Sequence, residues 1–319
     1  MAQQHKASLL LQKHGKLEVG TRPTPVPHGT QALVKVTATA RLDGAGIIHA
    51  VGPDVTDFKV GDRVTFQGPF NPADQASFQE FTIVETDIIT KTPENINDDQ
   101  ASTIPTGAFT AYSGLFQRSG VAPPLNGPTA IGKSVLILGG SSSVGQYAIQ
   151  FARIAGFSHI VTTASSQHAS LLKSLGATHV CDRSADAQTI QSAFPATSPV
   201  SLVFDTISIE STQTLAFDVL GTPSPVPNAR VSILHFPAES LKEKIAEGKI
   251  VVDQIYGSTQ MFRDMSAPFW KKIGQWIEGG EFVPNHVQLV NGGLGGIPEA
   301  LDLSRKGVSG VKLVVRPQE

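Results

Sequence analysis

Apolar and polar residues alternate along much of the first hundred positions, which is the pattern of strands with one buried face. The clearest run is 32–40, and the three prolines of 22–27 exclude a helix just before it. Glycines stand among β-branched residues in 43–52, where they indicate bulges and sharp corners. The pattern predicts a small β-barrel, with strands at 7–11, 17–19, 32–40 and 78–84 and further β structure at 43–52 and 58–66.

The middle of the chain has a different pattern. The apolar run Val135–Leu138 is short enough for a strand buried on both faces, and it ends at Gly139-Gly140. Three serines and a helical pattern through Val144, Ala148 and Phe151 follow. Two more strands, 160–164 and 178–180, flank a helix at 171–175. A β-α-β-α-β order is the mononucleotide-binding half of a doubly wound parallel sheet. Later strands are predicted at 202–205, 231–234 and 251–255, and a helix at 105–116 precedes the whole.

The end of the chain is mixed again, with helices predicted at 269–277 and 297–305 and strands at 287–290 and 311–315. We expect this tail to fold with the β-rich start, around an inserted doubly wound domain. The predicted domains are 1–104 with 261–319, and 105–260.

Composition excludes several classes of function. The 319 residues carry a net charge of −2, which gives no positive field for nucleic acid. Cys181 is the only cysteine, so neither an internal disulfide nor a cysteine-based zinc site is expected, and His5, Asp43 and His49 follow no metal-ligand spacing. No membrane span and no signal-peptide pattern occur in the sequence, and a reducing, cytoplasmic location is expected.

A strand, a glycine turn and a helix in this order bring free N–H groups and the positive end of a helix dipole to one point. A dinucleotide pyrophosphate usually binds at such a point. The spacing departs from G-x-G-x-x-G, so an ordinary tight βα turn is the alternative. After the second strand, where NAD enzymes usually carry an acid, the chain has Ser165-Ser166-Gln167-His168. Hydroxyls there, with Arg183 as a cation, favour NADP(H) over NAD. Helix capping by the serines, a solvated Arg183 and an exposed His168 are the alternatives.

Helix 105–116 stands at the junction of the two predicted domains. Reactive rings of cofactors tend to lie in such crevices, so Thr110 is a candidate to meet the nicotinamide or a substrate oxygen. Packing or capping of the helix is the alternative role.

With these segments in place the chain resembles the medium-chain dehydrogenase/reductase superfamily, and within it the zinc-free quinone reductases and fungal trans-acting enoyl reductases. The resemblance is carried in order along nearly the whole chain by Asp43–Gly46 through Gly52, Phe58–Val64, Pro105–Tyr112, Gly139–Gly145, Leu175–Val180 and Val308–Val315.

The resemblance implies a GroES-like β domain with an inserted Rossmann domain, an active site in the cleft, and a homodimer. It assigns Gly140, Ser141, Ser142, Ser143 and Val144 to the pyrophosphate. It places Ser165, Ser166, Gln167, His168 and Arg183 by the 2′-phosphate, and Leu234, Ser309 and Gly310 by the nicotinamide. Thr110 and Tyr256 would line the substrate pocket. The implied activity is hydride transfer from NADPH to a conjugated carbonyl or a quinone, without a metal.

One departure stands out, because Ala40 is followed at once by Arg41-Leu42-Asp43. The family carries a helix and loop at that point, with a lysine near the cofactor. The prediction is therefore a reductase of enones, enoyl compounds or quinones. The rival hypothesis is an NADP(H)-binding protein with little turnover, and a zinc alcohol dehydrogenase is disfavoured by the cysteine count.

Overall fold

A computed structural model describes residues 3–13, 15–69, 71–221 and 225–319. It divides into two compact units. The β-rich unit comprises the residues up to 106 together with 258–319, and the α/β unit comprises 107–257.

The β-rich unit begins with an antiparallel hairpin of β1 (Gln4–Leu10) and β2 (Leu17–Pro23). A five-stranded antiparallel sheet follows, in the order β6-β3-β4-β5-β7. Its strands are β3 (Gln31–Ala40), β4 (Asp43–Val51), β5 (Arg63–Gln67), β6 (Phe81–Glu85) and β7 (Ile89–Lys91). The inward side chains of these strands, such as Val34, Ile48 and Phe66, form one buried cluster, as expected from alternation.

The segment 58–66 is only partly a strand. Residues 58–62 lie outside the strands and turn at 60–61, where Gly61 has a φ of +93°, which an extended strand does not contain. Pairing in β5 begins at Arg63, so the β structure predicted for 58–62 is wrong.

The connection from β3 to β4 is a two-residue turn. Ala40 pairs with Asp43 across it, and Arg41 adopts a φ of +63°. The carbonyl of Arg41 accepts from Ser77 Oγ at 2.7 Å, and that of Leu42 accepts from Gly68 N at 2.7 Å. The turn therefore leaves neither of its carbonyl groups unpaired.

Helix α1 (Asp98–Ala101) precedes α2 (Pro105–Phe116), within which the chain passes into the α/β unit. That unit holds a six-stranded parallel sheet in the order β10-β9-β8-β11-β12-β13. The strands are β8 (Ser134–Leu138), β9 (His159–Ala164), β10 (His179–Asp182), β11 (Leu202–Asp205), β12 (Arg230–Ile233) and β13 (Val251–Gln254). The helices are α3 (Ser143–Ile154), α4 (Ala169–Leu175), α5 (Ala187–Ser192), α6 (Glu210–Gly221) and α7 (Lys242–Ala246). Counted from β8 this is the order 3-2-1-4-5-6 of dinucleotide-binding sheets, which confirms the predicted fold class.

The chain then returns to the β-rich unit through α8 (Arg263–Glu278), β14 (His286–Leu289), α9 (Ile297–Lys306) and β15 (Val311–Val314). Helix α8 starts six residues before the predicted position and carries Pro268 inside it. Strands β14 and β15 are parallel neighbours. Among the described residues, no helix combines the length and apolar character needed to cross a membrane.

A buried polar cluster joins distant parts of the β-rich unit. The Asp43 carboxylate, which is 0% exposed, lies 3.1 Å from Lys312 Nζ. Its other oxygen accepts from the backbone N–H of Thr106 at 2.8 Å and from the Thr106 hydroxyl at 2.6 Å. A carboxylate from β4 therefore stabilises the first turn of α2, where backbone N–H groups have no helical partner.

Candidate functional site

The turn from β8 into α3 approaches its neighbours too closely for side chains. Gly139 has a φ of +79°, and the N–H of Gly140 donates to Thr163 O at 2.9 Å. A Cβ on Gly140 would lie 2.1 Å from Thr162 Oγ1, and one on Gly145 would lie 2.3 Å from Gly139 O. Glycine is thus required for the turn itself and for the tight packing of α3 against it, the two needs that dinucleotide-binding turns share.

This turn also presents backbone donors. Helix α3 begins at Ser143, and its N-cap Ser142 accepts the Gly145 N–H on its Oγ at 2.9 Å. Among the residues that the structure describes, the N–H groups of Ser141 and Val144 have no hydrogen-bond partner. Two such donors beside the positive end of a twelve-residue helix fit the oxygens of a pyrophosphate.

Ser142 is fully engaged within the turn. Its N–H donates to Gly139 O at 3.0 Å, and its Oγ lies 2.9 Å from Thr206 Oγ1. Because the Thr206 hydroxyl donates to Leu138 O at 2.7 Å, the Ser142 hydroxyl is the donor between the two side chains. Ser142 and Thr206 thus join the turns that follow β8 and β11, the adjacent strands at which the strand order reverses. Contact of Ser142 with a pyrophosphate stays a prediction, as do those of Gly140, Ser141, Ser143 and Val144.

The turn after β11 is organised by Asp205, which is 0% exposed. Its carboxylate accepts from the N–H groups of Ile207 at 3.0 Å and Ser208 at 2.8 Å, and from Thr212 Oγ1 at 2.7 Å. Burial raises the pKa of the Asp205 carboxyl, and these donors only partly offset that effect. Ser208 is held at a φ of +58°, a conformation that this network compensates.

The loop after β12 is attached to the loop after β11. The N–H of Leu234 donates to Ser208 Oγ at 2.8 Å. The amide of Gln213, which is buried, donates to Ser208 O at 3.0 Å and to Phe236 O at 3.1 Å, and accepts from Ala238 N at 2.8 Å. Leu234, assigned to the nicotinamide by resemblance, therefore lies on a segment with a fixed backbone.

The residues predicted for the 2′-phosphate lie together at the ends of β9 and β10. Asp182 pairs with Ala164 in the sheet, so Arg183 and Ser165 continue from aligned positions of parallel neighbours. Arg183 is exposed, and Ser165 precedes a short 3-10 turn at 166–168 without capping it through its side chain. Ser166 and Gln167 are exposed and His168 is half-buried, with Gln167 Nε2 3.3 Å from His168 Nε2.

A carboxylate at this place belongs to Asp182. It accepts from the N–H and the hydroxyl of Ser184, at 2.9 and 2.6 Å, and these bonds lower its pKa. The carboxylate is therefore committed to its own turn, beside the exposed Arg183.

Thr110 and Tyr256 are brought close through Gly257. A Cβ on Gly257 would lie 1.8 Å from Thr110 Oγ1, so the residue after Tyr256 packs on the Thr110 hydroxyl. Thr110 is buried and Tyr256 is 47% exposed. Ser309 and Gly310 belong to the β-rich unit, where they precede β15 and Gly310 has a φ of +73°.

Sequence reasoning missed the residues that support the site, namely Thr206, Ser208, Gln213 and Asp205. Only Asp205 carried a signal, since an acid that ends a fully apolar strand run needs partners when buried. Its partners follow from the turn conformation, which the pattern of residues does not reveal.

Within the described residues, no group of three or more histidine, cysteine, aspartate or glutamate side chains could hold a metal ion. Cys181 is buried, and burial raises the pKa of its thiol.

Two family models match this chain. The model described as the alcohol dehydrogenase GroES-like domain matches residues 18–94, and the one described as zinc-binding dehydrogenase matches residues 143–223. A dehydrogenase of Aspergillus niger is 31% identical over 282 residues, covering 86% of this chain and 80% of its own. The enoyl reductase component of the lovastatin nonaketide synthase of Aspergillus terreus is 30% identical over 305 residues, covering 86% and 80%.

A trans-enoyl reductase of Alternaria alternata is 29% identical over 349 residues, covering 98% of both chains. That alignment is longer than the 319 residues of this chain, so the relative has residues without a counterpart here.

Solved structures show the same fold. An alcohol dehydrogenase superfamily protein from Novosphingobium aromaticivorans superposes with a TM-score of 0.82 at 21% identity, over 98% of this chain and 99% of the other. The CurK enoyl reductase superposes with a TM-score of 0.79 at 19% identity, also over 98% and 99%.

Proposed function

We propose a function from one premise, which is that this chain belongs to the medium-chain dehydrogenase/reductase superfamily and to its enoyl reductase branch. The proposed function is reduction of the C=C bond of α,β-unsaturated carbonyl compounds with NADPH and without zinc. The observation that carries the proposal is the β8–α3 turn. It combines two N–H groups that have no hydrogen-bond partner among the described residues with glycines that have no room for a side chain.

In this proposal the residues of the chain bind the cofactor and orient the substrate. The N–H groups of Ser141 and Val144 hold the pyrophosphate, while Ser142 and Thr206 keep the turn in place. Thr110 and Tyr256 are proposed to line the substrate side. When bound, the reduced nicotinamide supplies the hydride.

The preference for NADPH rests on the ends of β9 and β10. No carboxylate follows β9, and the serines there can donate to a phosphate. Arg183 is exposed and continues from the position aligned with Ser165, while the neighbouring Asp182 is bonded to Ser184. A guanidinium beside hydroxyl donors suits a 2′-phosphate.

Zinc independence is supported by the donor set. A catalytic zinc needs three protein ligands and an open position, and the described residues offer no such group. We expect metal analysis of the purified protein to find no zinc. Activity should be retained after treatment with a chelator.

Quinone reduction is the alternative reaction within the same proposal. A second candidate, a protein that binds NADP(H) with little turnover, is favoured by one observation, the two-residue connection between β3 and β4. In the family pattern that the sequence resembles, a longer segment with a helix and a loop stands at this point.

The test is consumption of NADPH and of NADH by the purified protein with conjugated enals, enoyl thioesters and quinones. Turnover of enoyl compounds with preference for NADPH is expected. In Arg183→Ala the ratio of kcat/KM with NADPH to kcat/KM with NADH should fall by about tenfold or more. This is the factor that corresponds to the free energy of one charge-assisted hydrogen bond to the 2′-phosphate. Lys173→Ala, which removes an exposed cation from α4, is the matched control and should keep the ratio. NADPH binding without turnover of any acceptor would favour the second candidate.

A further inference from the structure

A cavity of about 400 Å³ lies at the amino edge of the parallel sheet. The first residues of β8, β11 and β12, which are Ser134, Leu202 and Arg230, line it. Its volume falls in the range of about 300–1,000 Å³ that is usual for small-molecule sites. The glycine turn follows the opposite end of β8, and at about 3.3 Å per residue this strand keeps the two places about 16 Å apart. The cavity is therefore distinct from the proposed cofactor site.

Cations line this cavity. Arg118, two residues after α2, and Lys133, just before β8, are exposed there. The guanidinium of Arg230 is already paired, because its Nε and Nη2 donate to the two oxygens of the buried Asp253 carboxylate at 2.9 and 3.1 Å. Arg118 and Lys133 have no hydrogen-bond or ion-pair partner among the residues that the structure describes, and none of the described lining residues is acidic. The cavity thus carries two unpaired positive charges, in a chain whose net charge is −2.

The rest of the lining is partly apolar and partly polar. Val121, Phe157 and Leu202 line the cavity and are buried. Ser201 and Asn228 add a hydroxyl and an amide, and within the described part of the chain neither side chain has a hydrogen-bond partner. A ligand that fits this lining has an apolar body and an anionic group that accepts several hydrogen bonds.

The backbone that carries the two cations is held in place by hydrogen bonds. The N–H of Lys133 donates to Ala130 O at 3.0 Å. The hydroxyl of Ser119, the residue after the arginine, donates to Leu115 O and accepts from Val121 N at 3.1 Å. Because both side chains start from fixed positions, less order has to be created when a ligand binds.

We propose that this cavity is a second ligand-binding site, which takes an organic phosphate monoester with an apolar body. A phosphate monoester carries a charge of about −1.5 to −2 at neutral pH, which matches the two unpaired cations. A guanidinium and an ammonium group bind phosphate oxygens through charge-assisted hydrogen bonds. The buried apolar residues contact the organic part of the ligand, so inorganic phosphate alone binds less tightly. The proposal is independent of the proposed reduction, since that reaction uses none of the residues of the cavity.

The probe is phenyl phosphate, titrated by calorimetry into the full-length protein with and without saturating NADPH. One phenyl phosphate should bind per chain with the same Kd in both titrations, and about tenfold more tightly than inorganic phosphate, since its ring buries apolar area. Arg118→Gln and Lys133→Gln should each raise this Kd by about tenfold or more, the factor that corresponds to one charge-assisted hydrogen bond. Lys173→Gln is the matched control, because Lys173 is an exposed cation on α4 and does not line the cavity. It should leave the Kd unchanged.

Four results would overturn the proposal. The first is absence of phenyl phosphate binding. The second is binding that NADPH abolishes, which would assign the phosphate to the cofactor site. The third is equal affinity for benzoate, which would show that the cavity does not select a phosphate. The fourth is an unchanged Kd with a lower Tm in Arg118→Gln, because the arginine would then only stabilise the carboxyl end of α2.

Discussion

Replacing Gly145 with alanine tests the cofactor site directly, because the added methyl group has no room. Its Cβ would lie 2.3 Å from Gly139 O and 2.8 Å from Gly140 Cα. Ordinary contact begins near 3.4 Å, so the first turn of α3 must move away from the glycine turn by about 1 Å. Both neighbours are backbone atoms of a hydrogen-bonded turn and cannot rotate aside.

The displacement acts on the two donors proposed for the pyrophosphate. A hydrogen bond to a charged group contributes about 1.5–3 kcal/mol, and the movement weakens those of Ser141 and Val144 together. A loss of about 3 kcal/mol corresponds to about a hundredfold increase in the Kd for NADPH. Helix propensity works in the opposite direction, since alanine is favoured over glycine in a helix by about 1 kcal/mol, so the fold should persist.

The assay is titration of NADPH fluorescence, with circular dichroism and the Tm as checks on folding. Gly221→Ala is the matched control, since a Cβ at this last residue of α6 meets nothing within 4 Å. It should bind NADPH like the unaltered protein. Should Gly145→Ala bind NADPH with an unchanged Kd, the reasoning that places the pyrophosphate at this turn would be refuted.

Three further outcomes are expected. Lys312→Met should lower the free energy of unfolding, measured by urea denaturation, by about 3–5 kcal/mol, because it leaves the buried Asp43 carboxylate without its cation. Adding Asp43→Asn should restore part of the lost free energy. Because burial raises the pKa of Asp205 above its ordinary value of 3.8, the stability that depends on this group is complete below that pH and is lost as pH rises through the native pKa. In Asp205→Asn this decline of Tm with rising pH should be absent, and an identical profile would contradict the assignment. Thr206→Val should cost about 1–3 kcal/mol by removing the hydroxyl between Ser142 and Leu138, measured as a lower Tm, and an unchanged Tm would show that this hydroxyl is dispensable.

The central strands of the parallel sheet could be predicted because they are short runs of mostly apolar residues. The run Val135–Leu138 is fully buried in β8, and 202–205 is β11 to the residue. Helix α6 was missed because its sequence has no pronounced apolar stripe, and tertiary contacts hold it in place instead. Helices α5 and α7, with six and five residues, are too short for a periodic pattern to indicate them.

The support of the candidate site could not be predicted, since it depends on which strands are neighbours. Ser142 and Thr206 are 64 positions apart, and they meet only because β11 lies beside β8. Likewise Gln213 reaches a loop 23 residues away through two backbone groups, Phe236 O and Ala238 N, whose positions the sequence does not specify. Sequence identifies the turn that can bind a phosphate, whereas strand order determines what holds that turn still.

The two-residue turn at Arg41 and Leu42 connects strands whose pairing in the five-stranded sheet does not depend on the length of the connection. Strands β3 and β4 are antiparallel neighbours paired up to Ala40 and Asp43, so their ends stay adjacent whatever connects them. Loop closure costs about 0.6 kcal/mol for each doubling of length, so a thirty-residue insertion would cost only about 2.5 kcal/mol. A segment can therefore be gained or lost here without changing the pairing of β3 with β4. This turn is the place at which a longer loop or a foreign domain can be inserted into the protein.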